Sequence, residues 1–387
     1  MTTIQVLRVK GYRALNDLAL EGLTPLSVFL GPNGSGKSTI FDVFAFLSES
    51  FTLGLRQAWD RRGRFKELRT RGAQGPIVIE LGYREAPDLA LMTYHLTIDE
   101  SLKGPFIAEE WLGTSNSRIL DFRGGQGVVL GSDGGRDAEK ERLSSPETIA
   151  ANTLGQLAKH PRVAALRRFI TEWYLSSLSA DTVKGSSSAG SQERLSPTGD
   201  NLANVIQYLS QQHPARLAEI LKALAQRVPR LERVIPEATA DGGLLLQIKD
   251  APFEQPVPAR FASDGTLKLL AYLTVLYDPD PPQLIGIEEP ENFLHPRLLP
   301  ELAEECRQAT ARAQLLVTSH SPFFVNALKA DEVWVLYRDE RGYTQARRAS
   351  DMRGIPDFMS EGALLGDLWL EGHFDAGDPL VRSGGPH

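Results

Sequence analysis

The run Gly31–Thr39, GPNGSGKST, constrains the fold of this chain more than any other feature. Leu26, Val28, Phe29 and Leu30 precede it as a short apolar strand, and Ile40, Phe41, Val43, Phe44 and Leu47 follow at helical spacing. Strand, glycine-rich turn and helix in that order form a phosphate cradle. Gly31, Gly34 and Gly36 free the backbone to curl round an anion with its N–H groups inward, and Pro32, Asn33 and Ser35 complete the loop. Lys37 supplies a point charge, Ser38 offers a hydroxyl to Mg²⁺, and Thr39 adds a phosphate contact. The helix beginning near Ser38 aims its positive end at the phosphates. An ordinary glycine turn would not require these flanks.

Composition sets the outer bounds. With 387 residues, of which 42% are hydrophobic and 24% charged, the chain can bury a large core and hold two or three subdomains. A net charge of −7 argues against a protein that coats a polyanion wholesale, so any nucleic-acid contact must be local. The single cysteine, Cys306, excludes disulfides within the chain and cysteine-rich zinc sites. No apolar run reaches 18 residues and the amino terminus reads as a strand, so the expectation is a cytoplasmic protein without a membrane partner.

Strands are expected at 3–10 and 26–30, with the first helix running to about Ser50. Short alternating runs from Pro76 to Leu130 predict an antiparallel β subdomain. A Gly/Asp-rich loop (131–141) precedes helical segments near 146–178 and 200–227, which the serine-rich stretch 185–193 separates; Lys184 and the surrounding serines read as linker. A strand near 244–248 and an apolar helix from Leu267 to Tyr277 lead to strands at 284–287, 315–318 and 333–337, the parallel half of an α/β sheet. The expected organisation is an amino-terminal ATPase portion (1–75), the β subdomain (76–145), a helical insertion (146–242), a carboxyl-terminal ATPase lobe (243–345) and an extension (346–387) whose end, from Gly377, is mobile.

The second half supplies acids and a histidine at strand ends. LIGIEEPENFLHP places Glu288 and Glu289 at the carboxyl end of a buried strand, where open α/β sheets bring ligands. Two adjacent acids there call for a cation: Glu288 would hold Mg²⁺ or its water, and Glu289 would orient and deprotonate an attacking water. The plainer alternative is a solvated strand end. LLVTSH ends a second strand in His320, within reach of a terminal phosphate; taken alone, such a histidine is more often structural. Ser263, Asp264, Gly265 and Thr266 stand immediately before an apolar helix, either as an N-cap or as a second anion site closing on a phosphate held by another subunit.

In this order the elements resemble the ABC-type ATPase heads of the RecF and SMC branch. Within it they most resemble the OLD-like ATPases grouped as an AAA family, whose characteristic runs are SDGT, EPEN-x-LHP and TSHSP. The resemblance covers 1–50 and 256–340, with a weaker likeness at 195–209. It implies an α/β P-loop NTPase, an ABC-type head with an antiparallel β subdomain and a helical insertion, binding ATP and Mg²⁺ and hydrolysing ATP. Gly31–Thr39 would be its Walker A loop, Ser263–Thr266 the signature acting across a homodimer, Glu288 and Glu289 the Walker B pair, Asn292 a D-loop residue and His320 the switch histidine. Tyr12 and Arg13 match a position near the nucleotide, and Gln74 or Gln57 would serve as the Q-loop residue. Glu288 stands where such heads usually carry Asp, and the extra methylene bears on hydrolysis rate more than on binding. Each site would be composite, with two nucleotides between two heads.

Residues 56–71 form the most basic segment, seven basic residues against two acidic, with Trp59 and Phe65 interleaved. Such a segment either contacts DNA phosphates or is a solvated helix face with internal ion pairs. The favoured function is an ATP-dependent switch in DNA repair or anti-phage defence. OLD-like proteins often carry a TOPRIM nuclease after the ATPase; the stretch from His320 to His387 carries no acidic nuclease cluster, so a separate nuclease or effector is expected. The alternative is an ATPase subunit energising a membrane or other protein partner, disfavoured by SDGT in place of LSGGQ and by the long separation of Lys37 from Ser263. A chromosome-organising head would need long heptad coils, which are missing, and an AAA+ hexamer would place its acids much closer to Lys37.

Overall fold

The computed structural model describes residues 1–131, 138–185, 187–188, 190–240, 242–374 and 376. The tail expected to be mobile, most of the Gly/Asp-rich loop, and Ser186 and Ala189 of the serine-rich stretch lie outside the described residues. In chain order the strands are β1 (Thr3–Tyr12), β2 (Leu15–Glu21), β3 (Leu26–Leu30), β4 (Ile77–Arg84), β5 (Met92–Ser101), β6 (Gly104–Gly113), β7 (Arg118–Arg123), β8 (Gln126–Leu130) and β9 (Ala138–Arg142). They continue with β10 (Tyr174–Ser176), β11 (Ser187–Ser188), β12 (Leu231–Ala238), β13 (Gly243–Asp250), β14 (Val257–Pro258), β15 (Leu284–Glu288), β16 (Gln314–Ser319), β17 (Val333–Arg338) and β18 (Thr344–Arg348). The helices used below are α1 (Lys37–Thr52), α2 (Leu55–Asp60), α3 (Arg64–Leu68), α4 (Ala150–Leu154), α5 (Pro161–Thr171), α6 (Ala180–Val183), α7 (Leu202–Gln212), α8 (Pro214–Arg227) and α9 (Asp264–Leu276). The chain divides into two compact units: Met1–Trp173 with Lys329–Ala363 and the described residues from Leu368, and Tyr174–Leu328 with Leu364–Asp367.

In the first unit, one antiparallel sheet runs β2-β1-β4-β5-β6-β7-β8-β9. The alternation that predicts β4 to β8 continues in β1, where Leu7 and Val9 lie opposite Leu81 and Ile79, all four fully buried. The antiparallel region is therefore continuous with the amino-terminal hairpin, a pairing that local alternation cannot reveal because partner choice depends on long-range register. β3 is different: all five residues are buried, as in a strand covered on both faces. Within this unit β17 lies parallel to β3, with Val333 opposite Val28 and Val335 opposite Leu30, and β18 returns antiparallel beside β17. α1 packs through aromatic contacts, Phe46 against Tyr12 at 5.8 Å and Phe44 edge-on to Trp173 at 5.5 Å.

A carboxylate lies fully buried in this β-rich region. Glu110 of β6 accepts hydrogen bonds from the backbone N–H groups of Ala150 (2.6 Å) and Ala151 (2.8 Å), the first residues of α4, and from the Tyr94 hydroxyl (3.0 Å). Burial pushes the Glu110 carboxyl up to about 7, against the opposing pull of these donors.

The second unit contains the parallel trio β10-β15-β16, with Ile285 opposite both Tyr174 and Leu315. Every residue of β16 and the first four of β15 are buried. α9 is buried from Leu267 to Leu276, a helix apolar nearly all round because protein surrounds it. β13, expected from its apolar run, pairs with β12, which the sequence reading did not anticipate: LERVIPEA buries only Val234 and holds a proline, so no periodic apolar face marks it. The stretch expected to be a linker is tied down where it is described. Ser187 and Ser188 pair with Leu244 and Gly243, and the fully buried Asn204 of α7 donates to the carbonyls of Ser188 (2.9 Å) and Gly190 (2.7 Å). A serine-rich composition conceals this anchoring because β13 and Asn204, both outside the stretch, provide it.

The sign of the Glu110 effect follows from its raised folded-state value. The contribution to stability is complete below the ordinary glutamate range and is lost as pH rises through about 7. Relative to Glu110→Gln, the wild type should lose about 3 kcal/mol between about pH 5 and about pH 8.5 in denaturant titrations. A relative stability that stays constant with pH would contradict the assignment.

Candidate functional site

In the first unit the phosphate loop is braced through its carbonyl groups. Lys37, 4% exposed, donates from Nζ to the carbonyl oxygens of Gly31 (2.8 Å) and Pro32 (3.1 Å). Arg338 Nε of β17 donates to the Gly34 carbonyl at 2.6 Å, and Thr344 Oγ1 of β18 to the Ser35 carbonyl at 2.8 Å. With its carbonyl side engaged by protein donors, the loop meets the condition for turning N–H groups toward an anion. The Ser35 hydroxyl is buried and has no hydrogen-bond partner, the state of a group kept for a ligand oxygen. Gly36 has φ 112°, and a Cβ there would strike the Thr344 side chain. Ser38 follows Lys37 in the first turn of α1 and is exposed, while Thr39 is half-buried. Among the residues expected from the sequence, Pro32 is half-buried and Asn33 and Gly34 are exposed. Sequence reasoning missed Arg338 and Thr344, which lie some three hundred residues from the loop in the chain.

Arg13 is anchored to the loop helix. It has φ 47°, and its Nη1 lies 2.9 Å from Asp42 of α1. Asp42 also accepts from the Tyr12 hydroxyl (2.6 Å) and from Arg62 Nε (2.7 Å), and Arg62 continues to Glu49 at 2.7 Å. Burial, reinforced by Asp42, holds the Tyr12 hydroxyl well above the ordinary phenol range. The basic segment is largely engaged in such pairs. The Arg62 side chain is 8% exposed, Arg56 pairs with Glu147, Arg64 with Asp60, and Arg69 lies over the Phe65 ring. Trp59 is fully buried, stacked on Phe65 at 5.5 Å, and donates to Glu100, so it is not presented to a base. Gln57 on α2 and Gln74 before β4 are both exposed.

In the second unit the acids cluster at the ends of β15 and β16. The chain leaves Glu288 and turns at Glu289 with φ 43°, a left-handed conformation costing a non-glycine residue about 1 kcal/mol or more. The turn is held by the Glu289 N–H, which donates to the Thr318 carbonyl (3.0 Å) and hydroxyl (3.2 Å). Asn292 Nδ2 donates to Glu289 Oε2 at 3.1 Å, fixing the carboxylate from the following turn. His320 Nδ1 lies 3.7 Å from Glu289 and 3.2 Å from Glu291. Glu291, to which the sequence reading gave no role, accepts from the Ser319 hydroxyl (2.9 Å) and the His320 N–H (2.6 Å) through Oε1, while its buried Oε2 has no hydrogen-bond partner. Glu291 thus sets the position of His320 from both backbone and ring.

The SDGT run opens α9. Ser263 occupies the N-cap position, but its hydroxyl makes no capping bond and the residue is exposed, which departs from the plain N-cap reading. A Cβ on Gly265 would lie 2.6 Å from the Phe293 carbonyl, so this glycine lets the helix start close on the turn after the acids. Thr266 follows in the first turn. Lys268, two residues on, is 4% exposed and lies 5.6 Å from the Phe293 ring centroid and 5.7 Å from that of Tyr272. Burial lowers its ammonium, with Glu291 and Glu289 pulling the other way. The sequence pattern reads Lys268 as one polar position in an apolar helix and carries no signal for this placement.

Solved structures place the fold in a class. An SMC head bound to the C-winged-helix domain of ScpA matches with TM-score 0.58 and 14% identity over 89% of this chain and 97% of that one. An SMC head with an extended coiled coil, bound to the C-terminal domain of ScpA and derived from Pyrococcus furiosus, matches with TM-score 0.56 and 12% identity over 93% and 99%. The fold is that of an SMC/ABC-type P-loop head, α/β with an antiparallel sheet. Residues 154–326 match the model of the family described as "AAA domain, putative AbiEii toxin, Type IV TA system", and that segment holds the SDGT, EEPEN and TSHSP runs. None of the curated proteins matches this sequence. P-loop membership implies nucleotide binding. No described helix is long and apolar enough to cross a membrane.

Because Glu291 orients His320 without being the expected base, its loss should affect turnover more than binding. Glu291→Ala is expected to lower ATP turnover about tenfold or more, with less than about a threefold change in the affinity of a fluorescent ATP analogue. Equal losses in both would assign Glu291 to ground-state binding instead.

Proposed function

We propose that this protein is an ATP-hydrolysing switch whose subunits pair around two Mg²⁺-ATP. The observation that carries the reading is the phosphate loop, whose carbonyls are engaged by Lys37, Arg338 and Thr344 while the buried Ser35 hydroxyl lacks a hydrogen-bond partner. Gly31–Thr39 would cradle the phosphates, and Arg13, released from Asp42, would add a cation. Ser38 and Glu288 would hold Mg²⁺, which binds through few protein ligands plus phosphate oxygens and would neutralise charge on the transferred group. Glu289, oriented by Asn292, would take the proton of the attacking water, whose oxygen bonds to the γ-phosphorus as the bond to ADP breaks. His320, set by Glu291, would donate a hydrogen bond to the γ-phosphate. Ser263, Asp264, Gly265 and Thr266 would complete the site of a second copy, an assignment supported by the exposed, uncapping Ser263 hydroxyl.

The description of the matched family as a toxin of a type IV TA system supports a role in defence. A separate nuclease or other effector would read the ATP state. Within residues 56–71, contact with DNA would fall to the exposed Arg61, Arg64, Lys66 and Arg71, since Trp59 and Arg62 are buried.

Glu289→Gln keeps the hydrogen bond from Asn292 possible and removes the base. It should bind ATP and accumulate as a dimer in light scattering with ATP and Mg²⁺, but not with ADP. A variant that binds ATP and remains monomeric at every concentration would contradict the proposal.

A further inference from the structure

The stretch between α6 and β11 carries a cation that the function above does not use. Lys184 Nζ forms an ion pair with Asp264 Oδ1, within the SDGT run at the first position of α9. The two side chains are 24% and 37% exposed, so the pair lies at the surface of its unit without being fully solvated. Its backbone is held on both sides. Thr182 donates to the carbonyls of Ser179 (2.8 Å) and Thr198 (2.7 Å), and Ser187 and Ser188 pair with β13. A cation fixed in this way is a built feature of the helix start.

Asp264 poses an electrostatic problem for the proposed site. A carboxylate in the first turn of a helix uses the same positive field that an incoming phosphate would use, and it repels that phosphate. An SDGT run therefore meets a polyanion less readily than a run of uncharged residues would, unless the aspartate is neutralised. We propose that Lys184 is a positioning residue of the composite site: it neutralises Asp264 so that the start of α9 accepts the terminal phosphate of a triphosphate carried by a second copy of this chain. The inference rests on the proposed ATP-dependent dimer and deepens it. The γ-phosphate brings the added charge, so the Lys184–Asp264 pair favours a partner loaded with triphosphate over one loaded with diphosphate.

The test uses the full chain in the Glu289→Gln background, with dimer dissociation constants in ATP and Mg²⁺ measured by sedimentation and the ATP affinity of dilute protein as the folding control. Lys184→Ala is expected to weaken the dimer about tenfold or more, and Lys184→Arg to retain it. Adding Asp264→Asn to Lys184→Ala should recover most of the loss, because the repelling charge is then gone. A Lys184→Ala protein that dimerises like its parent, or a double variant as weak as the single one, would overturn the inference while leaving the proposed function intact. A parent that binds ATP without dimerising would overturn the dimer itself and the inference with it.

Discussion

The carbonyl side of the phosphate loop is satisfied from within its own unit, and the proposed chemistry depends on that arrangement. Arg338 and Thr344, from the hairpin formed by β17 and β18, hold the carbonyls of Gly34 and Ser35, while Lys37 reaches back to Gly31 and Pro32. A glycine-rich loop left to itself would sample many conformations, and ordering it around an anion would cost entropy at each binding event. Fixing the carbonyls beforehand lowers that cost. It also explains why Gly36 cannot carry a side chain, since the Thr344 side chain occupies the space a Cβ would need.

A comparable economy holds at the acidic strand end. Glu289 sits in a left-handed conformation that the Thr318 contacts and Asn292 stabilise, and Glu291 ties the next strand end to the same turn through Ser319 and His320. Glu289 and His320 are therefore set by one local network, in which Glu291 contacts His320 directly through backbone and ring. Gly265 and Lys268 bring the start of α9 against this turn, so the SDGT run and the acids share one packing surface within their unit.

What could be read from sequence follows from the range of the interactions involved. The phosphate loop, the apolar β3 and β16, the buried α9 and the alternating β4 to β8 all announce themselves through local period or glycine spacing. β12 stayed hidden because it buries a single side chain, and the pairing of β4 with β1 because register is set across the intervening phosphate loop and α1. At the site, the motifs supplied Lys37, Ser38, Glu289 and His320 as candidates. Arg338, Thr344, Glu291, Lys268 and Lys184 were illegible because each is placed by a partner distant in sequence or by burial. The basic segment 56–71 shows the converse: its composition suggests a binding patch, and folding commits Arg62, Arg56 and Trp59 to internal partners.

In the proposed mechanism Gly31–Thr39 would bind ATP and Glu289 would turn it over only when two subunits complete each other's sites. The direct measurement is the steady-state ATP hydrolysis rate per subunit across a range of protein concentration spanning monomer to dimer, with Lys37→Ala as the blank. The rate per subunit is expected to rise with concentration and to disappear in the blank. A rate that is independent of concentration while the protein is demonstrably monomeric would contradict it.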